Sequence, residues 1–181
     1  NGALTTIVLG QGTHVVEDNT LRIKWPVNIV GSPDVLASTI IVQGGFVIAS
    51  NINGTVHVEH LTIRSNESYG VFGWSSFTLN DLIIEQCGGG VYAEGSSTIG
   101  RCCNVVIHNC ECSGVCAHSG ASVILEGSET SIYENCSDGE SYHYGLAVWG
   151  SSSKIQIVSP LTKESISKGN KGGGNLGARK G

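Results

Sequence analysis

The sequence predicts an all-β fold in which short strands stack turn upon turn as a parallel β-helix. The first observation is a repeat, because five segments between residues 45 and 158 open with glycine and a short apolar run. Their opening glycines lie 25, 20, 24 and 31 residues apart, a spacing typical of stacked repeats. The second is the composition, since 26 glycines and only 14% charged residues are typical of short strands separated by turns. The third is that the apolar residues show no helical periodicity over three turns.

The first 43 residues are predicted to form a lead-in built from similar strands. Strand-sized apolar runs occupy residues 5–9, 21–24, 27–30 and 39–42. Turn residues separate these runs, among them Gly12, Pro26 and Pro33. A proline ends a strand because it cannot donate a hydrogen bond to the ladder. We therefore expect four short strands before the first glycine-led repeat.

Each glycine-led repeat contains three strand-like pieces, which in the second repeat are residues 71–72, 77–79 and 82–84. About twenty residues can form one triangular turn of a coil, in which each strand pairs in parallel with its copy about 4.8 Å away. An antiparallel sandwich is the alternative, but it gives no reason for equivalent residues to recur once every three strands. The sequence thus assigns residues 1–158 to the β-helix and residues 159–181 to a short cap and a flexible, glycine-rich, basic tail.

Stacking aligns equivalent residues in columns that run along the coil. The residues one and three positions after each opening glycine should point inward, because side chains alternate along a strand. All ten are apolar or glycine: Phe46, Val71, Val91, Val115 and Leu146, then Ile48, Gly73, Ala93, Ala117 and Val148.

Three further columns are predicted at the end of the third strand of each repeat. A ladder of buried polar side chains is expected at a turn, formed by Ser65, Gln86, Asn109 and Asn135. The next position predicts a column of mostly free thiols, formed by Asn66, Cys87, Cys110 and Cys136. An outward column should hold charged side chains that pair between turns for stability, formed by Arg64, Glu85, His108 and Glu134.

The order of glycine, apolar residues, a serine-rich turn, a second apolar pair and an Ile-x-Asn-x ending resembles the repeats of the pectin lyase-like superfamily. It is similar to the β-helix repeats of carbohydrate-binding and sugar-hydrolase proteins, which also occur in proteins of protists and large DNA viruses. The resemblance covers about residues 5–158 and implies a single-stranded right-handed parallel β-helix of about six to seven coils. Members include polysaccharide lyases, hydrolases, epimerases and non-catalytic modules, so the resemblance does not select an activity.

An outward-facing aromatic strip is the main candidate for a binding site. Phe72 and Tyr92 stand two positions after their opening glycines, and Trp74 and Trp149 stand four positions after theirs. Such rings at the surface are typical of a binding face, and sugars offer apolar C–H faces to them. The alternatives are that another segment covers the strip, which makes it core, or that it binds a protein partner.

Two ionisable residues and one loop adjoin this aromatic strip. Glu94 and His118 occupy the same outward column one turn apart, so they could act as proton donor and acceptor in a glycan-processing enzyme. The long loop before the fifth repeat carries Tyr142 and His143, which we expect to overhang the strip.

The leading functional prediction is a non-catalytic binding or structural module, with carbohydrate as its ligand. Enzymatic relatives are disfavoured because the paired aspartates and the Gly-His-Gly and Arg-Ile-Lys motifs of polygalacturonase-like hydrolases are absent, as are the clustered aspartates of pectate lyases. A lyase, hydrolase or epimerase using Glu94 and His118 remains the alternative. A protein-interaction scaffold, recruiting partners or copies through the coil ends or the C-terminal tail, is the third hypothesis.

Charge and cysteine content limit the partners further. Residues 1–158 carry a net charge of −9 and residues 159–181 a net charge of +4, so an acidic body argues against nucleic-acid binding. No apolar run approaches a membrane span, and no cofactor motif is present. Cysteines 110, 112 and 116 with His118 lack the usual zinc-ligand spacing, so we predict no metal. Seven cysteines exclude complete disulfide pairing, and the compartment stays open.

Overall fold

The computed structural model describes residues 5–179 and is composed almost entirely of strands. The first four residues of the predicted β-helix and Lys180 and Gly181 of the predicted tail lie outside this range. The strands are β1 (Thr5–Leu9), β2 (Gly12–Ile23), β3 (Val27–Gly31), β4 (Ile40–Ile48), β5 (Val56–Arg64), β6 (Tyr69–Gly73), β7 (Phe77–Glu85), β8 (Gly89–Glu94), β9 (Ile99–His108), β10 (Val115–His118), β11 (Ser122–Glu126), β12 (Ser131–Tyr133), β13 (Leu146–Trp149), β14 (Lys154–Ile157), β15 (Ser167–Lys168) and β16 (Leu176–Arg179). A 3-10 helix spans Ala37–Thr39, and one short helix, α1, spans Lys163–Ile166.

The strands form a parallel β-solenoid, which confirms the predicted fold class. One stack runs from β4 through β6, β8, β10 and β13 to β16, and every pair in it is parallel. A second stack runs through β5, β7 and β9, after which the first half of β9 pairs with β11 and its second half with β12. The solenoid has about 5 turns, fewer than the six to seven expected. Within residues 5–179, no helix is long and apolar enough to cross a membrane.

The predicted inward columns form the core. Val71, Val91 and Val115 are in register on β6, β8 and β10, and each is fully buried. The same apolar cluster extends from Ile23 on β2 to Ile166 on α1. Because every turn adds equivalent side chains above the last, one continuous core fills the coil.

The opening position of each repeat has no room for a side chain, so it requires glycine. A Cβ atom at Gly90 would lie 2.1 Å from the carbonyl oxygen of Gly114 in the next turn, and one at Gly45 would lie 2.1 Å from that of Tyr69. These contacts are far inside van der Waals distance, so any side chain would push the stacked backbones apart. The glycine repeat in the sequence therefore reports the closest approach of successive turns.

Left-handed residues turn the chain at two corners, of which only the second was expected from the sequence. His60, Asp81 and Asn104 have φ values of 56°, 49° and 53° and occupy matching places inside β5, β7 and β9. A second corner follows β7, β9 and β12 and has φ values of 53° to 54°, at Gln86, Asn109 and Glu134. Polar residues such as Asn and Asp tolerate this conformation best, which explains their recurrence at these places.

The second corner corrects the predicted polar ladder. Glu85 pairs with His108 and His108 with Tyr133, so the fourth repeat is offset by one residue from the predicted alignment. Gln86 and Asn109 are exposed at the corner and do not belong to a buried ladder. The buried position that follows is occupied in successive turns by Ser65, Cys87, Cys110, Asn135 and Asn170.

The same offset changes the two neighbouring columns. Cys136 does not stack on Cys110 as predicted. All seven cysteines are free, as expected, and the buried ones act as small core residues. In the outward column, Arg64 contacts Glu85 at 2.6 Å and Glu85 contacts His108 at 3.2 Å. Tyr133, not the predicted Glu134, continues this column by stacking on His108 with ring centroids 5.0 Å apart.

Residues 159–179 continue the solenoid, which differs from the flexible tail that their composition predicted. Helix α1 begins after Thr162, whose side chain forms a capping box with Ser165. Strand β15 pairs with β12, and β16 pairs with β13. The buried Asn170 amide bonds to Asn135 in the turn before, with Asn170 Oδ1 accepting from Asn135 Nδ2 at 3.0 Å. Backbone pairing and this amide hold a segment that has few apolar side chains.

Candidate functional site

The aromatic strip lies on the outer face of the stack that contains β6, β8, β10 and β13. Phe72 is the register partner of Tyr92, and Glu94 is the partner of His118. His118 in turn is the partner of Trp149. The geometry therefore brings together the residues that the sequence analysis placed on this face.

The exposure of the aromatic strip is uneven. Phe72 stacks on Tyr92 with centroids 4.7 Å apart and an interplanar angle of 14°, and Trp74 leans on Phe72 at 4.4 Å. Trp74 is 40% exposed and Phe72 partly exposed, but Tyr92 is only 8% exposed. Burial raises the pKa of Tyr92, because the phenolate would lose its hydration. The open part of the strip is thus its Trp74 end.

Two further tyrosines pack on the centre of the strip, and of these the sequence pointed only to Tyr144 as a residue that could overhang it. Tyr69 meets Tyr92 edge-on with centroids 5.1 Å apart, and Tyr144 packs in the same cluster. The Tyr144 ring packs directly on Gly177, where any side chain would clash, since a Cβ at Gly177 would lie 2.3 Å from the ring. Both tyrosines immediately precede an opening glycine, which was the available sequence signal.

Glu94 and His118 contact each other at the edge of the strip. Glu94 Oε1 lies 3.5 Å from His118 Nδ1, and both side chains are about one-third exposed. The same ring nitrogen lies 3.2 Å from the Ser119 hydroxyl. The pair can exchange a proton with each other or accept hydrogen bonds from a ligand.

A shallow groove of about 430 Å³ runs beside the exposed indole of Trp74. Its lining combines that indole with the carboxylate of Glu94, the amide of Asn51 and several serine hydroxyls, including Ser76 and Ser97. An apolar ring face surrounded by hydrogen-bonding groups suits a ligand that is itself amphipathic. This groove is the main candidate binding site.

Trp149 occupies a more closed position than Trp74. Its ring meets His118 edge-on with centroids 5.7 Å apart and Tyr92 at 6.4 Å. Its indole nitrogen is buried and has no hydrogen-bond partner among the residues that the structure describes. Trp149 is therefore only partly accessible to a ligand.

The long loop before β13 forms a separate cluster. Tyr142 is exposed and packs on His143 with centroids 4.5 Å apart, whereas His143 is only 8% exposed. Asp138 Oδ2 lies 2.6 Å from His143 Nδ1, and the thiol of Cys112 lies nearby. Burial and the Asp138 carboxylate raise the pKa of that thiol to about 11. Only Tyr144 of this loop packs into the aromatic strip.

Comparison with known proteins adds no assignment to this geometry. No protein family, curated protein or solved structure matches the chain. The resemblance to pectin lyase-like repeats consequently supports a proposal and does not establish membership.

Proposed function

We propose that this protein is a non-catalytic, carbohydrate-binding parallel β-helix related to the pectin lyase-like superfamily, and that it binds polysaccharide in the groove beside Trp74. The observation that carries the proposal is the exposed Trp74 ring, flanked by Glu94 and by amide and hydroxyl groups in one groove. The family resemblance adds support, because many β-helix proteins with similar repeats act on or bind polysaccharides.

A sugar ring matches this groove in two ways, through its apolar face and through its polar rim. One face carries C–H groups that pack on an indole, while its rim carries hydroxyls that donate and accept hydrogen bonds. Phe72 supports the back of the Trp74 ring at 4.4 Å, so the platform loses little side-chain freedom on binding. Glu94 accepts hydrogen bonds from hydroxyls, and the Asn51 amide both donates and accepts.

A glycan array followed by titration of tryptophan fluorescence tests this proposal. The Trp74→Ala variant should bind the best glycan at least about tenfold more weakly, a loss of about 1.4 kcal/mol. Trp25→Ala is the matched control, because Trp25 is 65% exposed and does not line the groove. Absence of binding to any neutral or acidic polysaccharide, or equal losses in the two variants, would refute the proposal.

An enzyme acting on glycans is the second candidate, favoured by the contact between Glu94 and His118. Glu94 lines the groove and contacts His118 at 3.5 Å, so a carboxylate and an imidazole stand side by side, as general acid and base catalysis requires. Release of reducing ends or unsaturated products should then disappear in Glu94→Gln and in His118→Ala. A wild-type protein that shows no turnover across a broad polysaccharide panel would eliminate this candidate.

A protein-interaction scaffold is the third candidate, favoured by an apolar cavity of about 310 Å³ at the last turns. Leu146, Ile155 and Leu176 contribute to its lining, and Leu176 is 44% exposed. If copies associate there, light scattering should show a mass above that of the monomer, and Leu176→Glu should restore the monomer. A monomeric wild-type protein would argue against self-association at this end.

A further inference from the structure

Three metal-ligating side chains converge on the side of the solenoid where the long loop before β13 folds back. They are Cys112, Asp138 and His143, and their donor atoms lie within 4.8 Å of one another. Cys112 belongs to the turn between β9 and β10, whereas the other two belong to the loop between β12 and β13. One sulfur, one carboxylate oxygen and one imidazole nitrogen therefore meet from two consecutive turns.

The backbone fixes the segments that carry these residues. Asp138 N donates to the Glu111 carbonyl at 3.2 Å, which joins the loop to the turn that bears Cys112. His143 is held on its other side, because Gly173 N donates to the His143 carbonyl at 2.8 Å. The three donors thus sit on anchored backbone, which lowers the cost of bringing them to one ion.

The side chains are arranged as a partly enclosed set of ligands with one open side. His143 is 8% exposed, with the Tyr142 ring against it, and Cys112 is half-buried. Asp138 is exposed and orients its carboxylate through a bond from Glu140 N to Oδ1 at 3.1 Å. That bond leaves Oδ2 directed at His143, 2.6 Å from Nδ1. The exposed Asp138 side gives an ion a path of entry and leaves room for a water ligand.

We propose that Cys112, Asp138 and His143 bind one Zn²⁺ ion, with water as the fourth ligand. Zinc accepts sulfur, nitrogen and oxygen ligands in a tetrahedral site, and three protein ligands with water is an established arrangement. Tetrahedral bonds of about 2.0 to 2.3 Å place the donors about 3.3 to 3.7 Å apart. Asp138 Oδ2 and His143 Nδ1 must therefore separate from 2.6 Å, while donors up to 4.8 Å apart must approach. Binding replaces the hydrogen bond between His143 Nδ1 and Asp138 Oδ2: the imidazole proton moves to Nε2, Nδ1 and the carboxylate bind the ion, and the thiol releases one proton to solvent. The ion would tie the long loop to the preceding turn.

Cobalt serves as the optical probe for this site, because a thiolate bound to Co²⁺ gives a charge-transfer absorption in the near ultraviolet. Wild-type protein stripped with a chelator should bind one Co²⁺ with this absorption, and added Zn²⁺ should displace it. Cys112→Ser, Asp138→Asn and His143→Ala should each weaken Zn²⁺ binding, measured by calorimetry, by at least about 100-fold. Cys103→Ser and Asp34→Asn are the matched controls and should bind as the wild type does, since neither residue belongs to the cluster.

A conservative variant keeps the test informative if a ligand deletion also disturbs the loop. Cys112→His should retain binding of one Co²⁺ while losing the sulfur charge-transfer absorption, because nitrogen replaces sulfur. No charge-transfer absorption in the wild type, or an absorption that survives in Cys112→Ser, would overturn the proposal. The groove beside Trp74 contains none of these ligands, so failure of glycan binding and failure of metal binding are separate results.

Discussion

Replacing Asn135 with leucine should destabilise the protein more than any exposed amide substitution, because its side chain completes the hydrogen bonds of a buried corner. Asn135 is fully buried and contacts three neighbouring residues through its amide. Its Oδ1 accepts from Cys110 N at 3.0 Å, and its Nδ2 donates to the Ile107 carbonyl at 3.1 Å and to Asn170 Oδ1 at 3.0 Å.

The magnitude follows from the groups that lose a partner. Leucine has two methyl groups where asparagine has its amide oxygen and nitrogen, so it leaves Cys110 N and the Ile107 carbonyl buried without that partner, and its larger volume adds strain. Each orphaned group costs about 1–3 kcal/mol, which gives a loss of about 2–6 kcal/mol in the free energy of unfolding. With a urea m-value of about 2 kcal/mol/M, the midpoint should fall by about 1–3 M.

Urea unfolding followed by far-ultraviolet circular dichroism measures this loss. Asn109→Gly is the matched control, because Asn109 is exposed with φ of 54°, a conformation that glycine adopts freely. Its free energy of unfolding should change by less than about 0.5 kcal/mol. Asn135→Ser provides an intermediate, because its hydroxyl is too short to restore both bonds. If Asn135→Leu unfolds like the wild type, or if Asn109→Gly is the more damaging change, the assignment of the buried column is wrong.

Three further predictions follow from packing and titration. Gly90→Ala should lower the free energy of unfolding by about 1–3 kcal/mol, because its Cβ would lie 2.1 Å from a carbonyl oxygen of the next turn. Gly10→Ala is the control and should be neutral in the same urea assay, because its Cβ would have no atom within 4 Å. The Val35 carbonyl and the Asp81 carboxylate raise the pKa of His60 above 6.5, so its stabilisation is complete below pH 6.5 and is lost as pH rises through the folded-state pKa. Urea midpoints measured from pH 6 to 9 should show this decline, and Asp81→Asn should reduce it. Burial raises the pKa of the Cys102, Cys116 and Cys136 thiols to about 12, so their alkylation at pH 8 should be slow in the native state. After unfolding, all seven cysteines should react rapidly. Rapid labelling of these three thiols in the native protein would contradict the prediction.

The first stack of strands could be predicted because its glycines mark every turn. Once the glycines were aligned, strand alternation placed Val71, Val91 and Val115 inside and Phe72 beside Tyr92, as the structure shows. A side chain at the glycine position would clash with the neighbouring backbone, so the repeat is imposed by the geometry itself. Patterns that arise from such close approach can be read directly from sequence.

The third strand was harder to align because residue identity and burial gave different answers. The Asn-Cys pair at Asn135 and Cys136 matches the pair at Asn109 and Cys110, which suggested the wrong register. Ile132, the buried apolar residue that pairs with Ile107, gives the correct one. Buried apolar positions constrain the register more strongly than polar corner residues, because a shift of one residue would turn the core side chain outward.

The site could be predicted only where it depends on a single strand. The outward direction of Trp74 followed from alternation. The covering of Tyr92 depends on Tyr69, the first residue of β6, and on Tyr144 in the loop before β13, and no periodicity predicts how these two rings pack. The contact of Cys112 with the loop at Asp138 likewise requires the return path of an irregular segment. Strand β16 was not predicted for another reason: backbone pairing with β13 stabilises it, and its sequence has no apolar pattern.

The spacing of a parallel solenoid favours binding over catalysis on this face. Strands of adjacent turns lie about 4.8 Å apart, so outward side chains in one column touch, as Glu94 and His118 do at 3.5 Å. Pairs of catalytic carboxylates in glycoside hydrolases stand about 5 to 9.5 Å apart, on either side of the bond that they cleave. Glu94 and His118 instead contact each other directly, an arrangement that suits joint hydrogen bonding to one hydroxyl better than flanking a glycosidic bond. Trp74 and the polar groups around it line one groove, as the proposed binding of a sugar chain requires.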